Sequence, residues 1–120
     1  MTARLAYLAS PYTKYPRGID AAFGDVCALA APLIRTGVNV FSPIAHSHPI
    51  AVNGGHDPLD QDFWKEIDAI FLDKCDVLIV AHMDGWKESR GIAHEIEVFE
   101  RAGKPIFDLD PMSLSMVARR

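Results

Sequence analysis

Residues 77–81 read VLIVA, apolar at every position. A strand with one wet face alternates apolar and polar residues, whereas an unbroken apolar run is what a strand covered on both faces requires. Three more short apolar runs accompany it: Leu5–Ala9 (LAYLA), Val38–Phe41 (VNVF) and Pro105–Phe107 (PIF). The segments between them carry helical period. Ala22, Val26, Leu29, Ala30, Leu33 and Ile34 recur at three- and four-residue steps, with Asp20 as the expected N-cap and Gly37 as the stop. Phe63, Ile67, Ile70, Phe71 and Cys75 form a stripe over 62–74. Ile92, Ile96, Phe99 and Ala102 form another, ended by Gly103 before Lys104-Pro105. Strands alternating with helices predict βαβ units. The expectation is an α/β three-layer sandwich with a four- or five-stranded parallel sheet, formed by one domain over 1–120. A chain of 120 residues can bury a core without metal or disulfide staples. Ser42–Leu59, with its Pro, His and Gly, reads as one long connection.

In open α/β sheets, ligands bind beyond the carboxyl ends of the strands. That rule selects three loops: Ser10–Gly18, Ser42–Leu59 and His82–Gly91. Ser10 opens the first and is taken as a substrate contact. The net charge of −4 argues against a nucleic-acid surface built on bulk positive charge, while leaving room for a small anion pocket. No apolar run approaches the ~18 residues of a membrane span. The opening MTARLAYLAS lacks a signal pattern, so the cytoplasm is the expected compartment. Cys27 and Cys75 lie in apolar periodic segments without CxxC spacing and read as reduced core thiols.

Ser89, Arg90 and Gly91 stand at a helix start, where free N–H groups and a partial positive charge favour an anion. A plain N-cap at Ser89 explains the same residues. Glu95 lies one turn further, flanked by Ile92, Ile96 and Phe99. A partly desolvated carboxylate there suits a nucleophile or an acid/base group; a solvated glutamate is the bland alternative. Asp68 is a poor helix former in mid-helix and invites a reason. An Asp and a Glu at one rim suit chemistry at an anomeric carbon. Arg17 offers a planar, permanent charge for a phosphate, or is a solvated loop residue. Tyr7, Tyr12 and Tyr15 offer rings to stack on a base or phenols to hold a carboxylate. His46, His48, His56 and Asp57 match metal ligands in type but not in spacing. Contacts of His46 with base or sugar are the alternative, and no metal or cofactor is expected.

These residues together resemble the nucleoside 2-deoxyribosyltransferase superfamily and, within it, the bacterial domain family DUF1937. The resemblance runs through YLASPY, IDAIFLDKCDVLIV, SRGIAHEIEVF, GKPIF and the tail SLSMVARR, nearly the whole chain. It implies a flavodoxin-like parallel sheet. It implies Glu95 as the nucleophile toward sugar C1′, Asp68 as its helper at base or sugar, and Tyr7 as the strand tyrosine that holds them. Transferases of free nucleosides have an Asp where this chain has Ser89; serine there is similar to the nucleotide N-glycosidases. That branch implies phosphate contacts from Ser89 and Arg17, and Ser115 supplied by a neighbouring subunit of a homodimer or larger homo-oligomer. The first loop, SPYTKYPRG, departs from both branches. The expected activity is therefore hydrolysis, or base exchange, at the N-glycosidic bond of a nucleoside 5′-monophosphate. The alternatives are transfer between free nucleosides and a non-catalytic nucleotide or nucleotide-sugar binding module.

Overall fold

A computed structural model describes residues 4–119. Met1–Ala3 of the leader reading, and Arg120 at the end of the tail, lie outside the described residues. The chain folds as β1 (Ala6–Ala9), α1 (Ile19–Arg35), β2 (Val40–Phe41), α2 (Pro43–Gly54), α3 (Gln61–Lys74), β3 (Val77–Ala81), α4 (Arg90–Arg101), β4 (Ile106–Leu109) and β5 (Met116–Ala118). A single 3-10 turn, Trp86–Glu88, precedes α4. The five strands form one sheet in the order β2-β1-β3-β4-β5. The first four are parallel, with Ala6 beside both Val40 and Val77, and Leu78 beside Ile106.

The wholly parallel sheet expected from the sequence needs one correction. β5 runs antiparallel to β4, pairing Asp108 with Val117. Only a tight turn separates these strands, and a connection that short can reverse direction but cannot carry a parallel crossover. Asp110 makes the turn, its carboxylate accepting from the N–H groups of Met112 and Ser113.

The second correction concerns Ser42–Leu59, which is mostly helix rather than a long connection. Ser42 Oγ caps α2 by accepting the Ala45 N–H, Pro43 occupies the first turn, and Gly55 closes the helix in the left-handed region at φ 70°.

Alternate strand residues feed two separate clusters. Ala6, Leu8, Val77 and Ile79 pack with Val26, Leu29 and Leu33 of α1 and Ile44 of α2. Tyr7, Ala9, Leu78 and Val80 pack with Leu72 of α3 and with Ile92 and Phe99 of α4. VLIVA is buried at all five positions, as its composition requires.

The stripe assigned to α3 is also corrected. Phe63 and Ile70 are exposed, while Trp64 and Leu72 are buried. The inward face therefore runs Trp64–Asp68–Leu72 at four-residue steps, and this rotation carries Asp68 inward. Lys104 fixes the far end of α3, its Nζ donating to the carbonyls of Asp73 at 2.8 Å and Cys75 at 2.9 Å.

Candidate active site

The order β2-β1-β3 places a topological switch between β1 and β3, since the chain leaves β1 in opposite directions on its two sides. A cavity of about 500 Å³ opens there, within the size range of small-molecule sites. Ser10, Tyr12 and Lys14 reach it from the loop after β1, Trp64 and Asp68 from α3, and Ser89, Arg90, Gly91 and Glu95 from the start of α4.

Glu95 keeps some accessible surface, yet burial of its carboxyl pushes its pKa up to about 8. Tyr7 works against that shift as a hydrogen-bond donor, and the charge of Asp68 adds to it. Asp68 rises to about 6, chiefly through burial, with nearby His46 pulling it back. The Tyr7 phenol, wholly buried in β1, is driven well above its ordinary value by burial and then by the charges of Glu95 and Asp68. Tyr7 Oη, Ser10 Oγ and Asp68 Oδ1 are buried with no hydrogen-bond partner at ordinary distance. Buried polar atoms are rarely left so. Ser10 and Asp68 line the cavity, and Tyr7 lies within electrostatic reach of Asp68 and Glu95. Two carboxyls with raised pKa values beside a phenol make this cavity the candidate site.

The start of α4 supplies the opposite polarity. Ser89 is the N-cap, its Oγ accepting the Ile92 N–H at 3.2 Å. The N–H groups of Arg90 and Gly91 belong to the first turn, where helix geometry leaves donors without intrahelical acceptors. A Cβ at Gly91 would meet only Ser89 Oγ, at 3.8 Å, so the protein itself tolerates a side chain there. The glycine keeps that side of the cavity open.

Three expected site residues lie elsewhere. Arg17 is turned away from the cavity and bound to Asp25 and to Tyr15 Oη, its charge already compensated. Lys14, three residues earlier in the same loop, lines the cavity instead, as does Lys65. His46 is exposed and rests against Phe41 and Phe71, acting on Asp68 through its charge rather than lining the wall. Ser115 is exposed before β5, its N–H bonded to Ser113 Oγ, and does not line its own chain's cavity. Trp86 and Lys87, in the same loop as Ser89, do not line the cavity either. Trp86 stacks on His82 at 3.9 Å, with Lys87 over its ring.

The histidines of 46–56 part company. His48 is buried between Tyr12 and Asp20, and His56 lies beside Asp60. Among the described residues, no group of three or more His, Cys, Asp or Glu is arranged to hold a metal ion. Among the same residues, no helix is long and apolar enough to cross a membrane. Both cysteines are free, Cys75 buried and Cys27 partly so.

No curated protein matches the chain. Residues 4–110 match the model of the family described as "Domain of unknown function (DUF1937)". The chain belongs to the DUF1937 family.

Proposed function

We propose that this protein cleaves the N-glycosidic bond of a nucleoside 5′-monophosphate. The supporting observation is the pairing of Asp68 and Glu95 in a cavity also walled by the α4 N-terminus, with the buried Tyr7 phenol within electrostatic reach of both carboxyls. On this reading the two hydrophobic clusters are the halves of a flavodoxin-like three-layer sandwich, and the chain is a member of the nucleoside 2-deoxyribosyltransferase-like superfamily acting in the cytoplasm. The phosphate sits against the first-turn N–H groups of α4, with Ser89, Arg90 and Lys14 around it. A homodimer, in which a neighbour's Ser115 reaches this rim, completes the anion site.

The chemistry needs one carboxylate and one carboxyl. Glu95 attacks C1′ as the C1′–N bond breaks, and the bonding electrons leave with the base, which takes a proton from Asp68. Water then adds at C1′ with loss of a proton to Asp68, freeing Glu95 and the sugar phosphate. In the resting pair the single proton near neutrality favours Glu95, since its pKa is the higher. Positive charge developing on the sugar beside Glu95 draws the proton balance toward Asp68. Incubation with a panel of nucleoside 5′-monophosphates is expected to release free base, and Glu95→Ala to abolish release while retaining nucleotide binding.

A second reading is nucleotide binding without turnover. The observation favouring it is the same high pKa, which makes resting Glu95 a hydrogen-bond donor. Nucleotide binding equal in wild type and Glu95→Ala, with no base released by either, would decide for it.

A further inference from the structure

Tyr12 belongs to the cavity wall and also ends a row of polar contacts, a hydrogen bond to His48 and an ion-pair contact from His48 to Asp20, that leads to solvent. Its Oη lies 2.5 Å from Nδ1 of His48. His48, 5% exposed, has its other ring nitrogen, Nε2, 3.1 Å from Oδ1 of Asp20, whose side chain is 91% exposed. Phe23 stacks on the imidazole at 4.7 Å and fixes its plane. The three polar groups come from three elements: the loop after β1, α2 and the first turn of α1.

With His48 neutral, donor and acceptor roles along these contacts follow from Asp20. An ionised carboxylate only accepts, so Nε2 must carry the hydrogen. In a neutral imidazole Nδ1 is then bare and accepts, and the hydrogen between it and Tyr12 must come from the phenol. Burial, followed by the charges of Asp20 and Asp57, pushes the Tyr12 phenol up to about 12, so it retains that hydrogen at neutral pH. Once its hydrogen is engaged by His48, the phenol oxygen has only lone pairs left to offer.

We propose that Asp20 and His48 lock Tyr12 as a hydrogen-bond acceptor in the cavity wall, so that the site selects ligands presenting an N–H donor there. With the nucleotide reading above, on which this ligand assignment rests, the donor is the exocyclic amino group of an adenine or cytosine base. A base with a carbonyl at that position would set acceptor against acceptor. Tyr12 is thus a specificity-determining residue, and His48 and Asp20 are positioning residues that act through it.

Two measurements on the full chain test this. The first needs no ligand: nitrogen-15 NMR of the imidazoles at neutral pH. The expected result is His48 protonated at Nε2, with Asp20→Asn shifting the population toward Nδ1–H because the Asn amide can donate to Nε2. A wild-type His48 protonated at Nδ1 overturns the proposal. The second is binding of AMP against IMP and of CMP against UMP to Glu95→Gln, which removes turnover. One well-made hydrogen bond predicts a preference of roughly tenfold for the amino-bearing nucleotides. That preference is expected to vanish in Tyr12→Phe and to shrink or invert in Asp20→Asn. Equal binding of each pair, or a preference that survives Tyr12→Phe, overturns the selection. If no nucleotide binds while His48 shows the Nε2–H form and its Asp20→Asn shift, the nucleotide reading falls and the locked acceptor stands.

Discussion

Asp108 on β4 and Glu95 on α4 are both acidic side chains held against the sheet, and they are treated in opposite ways. Asp108 accepts from Arg119 Nε at 3.1 Å and Nη2 at 2.5 Å, and faces His82 Nε2 at 2.7 Å. The Arg119 contacts first, and His82 after them, hold its carboxyl below the usual carboxylate range. Trp86 stacks on His82 and adds an apolar contact to the cluster. The donor facing Glu95 is Tyr7, whose Oη makes no hydrogen bond of ordinary length, and Glu95 is pushed up instead of down. A charge whose bonds are all made within the protein ties elements together, here β3, β4 and the end of the chain. A carboxyl left short of partners beside a cavity costs stability and retains bonding capacity for something else.

Substitutions should separate the two clusters, and the largest effect is expected at the cavity. Glu95→Gln should reduce base release by roughly a thousandfold or more while leaving the fold intact, as measured by product assay beside a thermal melt. Activity within tenfold of wild type would move the nucleophile elsewhere. Next comes Asp108→Ala, which strands Arg119 and His82. It should cost about 1–3 kcal/mol in chemical denaturation and leave base release unchanged.

Tyr7→Phe should do the reverse, lowering turnover while leaving stability within about 1 kcal/mol of wild type, because the buried hydroxyl it deletes makes no hydrogen bond of ordinary length. A clear loss of stability would show that the hydroxyl has a structural partner. The smallest effect is expected at Lys87. Lys87→Ala removes an exposed cation over Trp86 and should cost no more than about 0.5–1 kcal/mol.

pH sharpens the contrast. Between an unfolded value of about 4.3 and the folded value of about 8, native Glu95 holds a proton that the unfolded chain has lost. Its contribution to stability therefore falls as pH rises through that window, and Glu95→Gln should flatten the slope of denaturation free energy there. Asp108 behaves oppositely: its stabilisation is present above about 3.9 and is lost as pH falls through its lowered folded value. Turnover of the free enzyme should trace a bell with limbs near 6 and 8, those of the Asp68–Glu95 pair. A profile flat from 5 to 9 would remove the pair from the chemistry.

Elements whose local chemistry and burial agree could be read from residues alone. VLIVA announced a strand covered on both sides, and Ser89 with Glu95 announced a capped helix start. α2 was hidden because Pro49 and its histidines look like loop composition; only the Ser42-Pro43 start and the Gly54-Gly55 end carried helix signals. Asp68 stands in mid-helix, as its sequence setting indicates, and lines the cavity. Of the stripe drawn beside it, Phe71 and Cys75 do pack inward, whereas Phe63 and Ile70 are apolar yet face outward. Arg17 offered charge and planarity, but direction decides which cation meets the cavity: Arg17 is held by Asp25, and Lys14 lines the wall. The path from Asp20 through His48 to Tyr12 joins residues 28 and 36 positions apart in pairs, and no local pattern encodes such a meeting.

Gly85 sits between these regions, at φ 92°, with space for no side chain: a Cβ there would fall 2.3 Å from the carbonyl oxygen of Lys14. The loop leading to Ser89 therefore lies directly on the backbone of the loop bearing Tyr12. For anyone diversifying this scaffold, the two rims form one unit of inheritance. Randomising either loop alone samples only variants that still nest against the other, and new ligand preferences are most readily reached by libraries that vary both while holding position 85 as glycine.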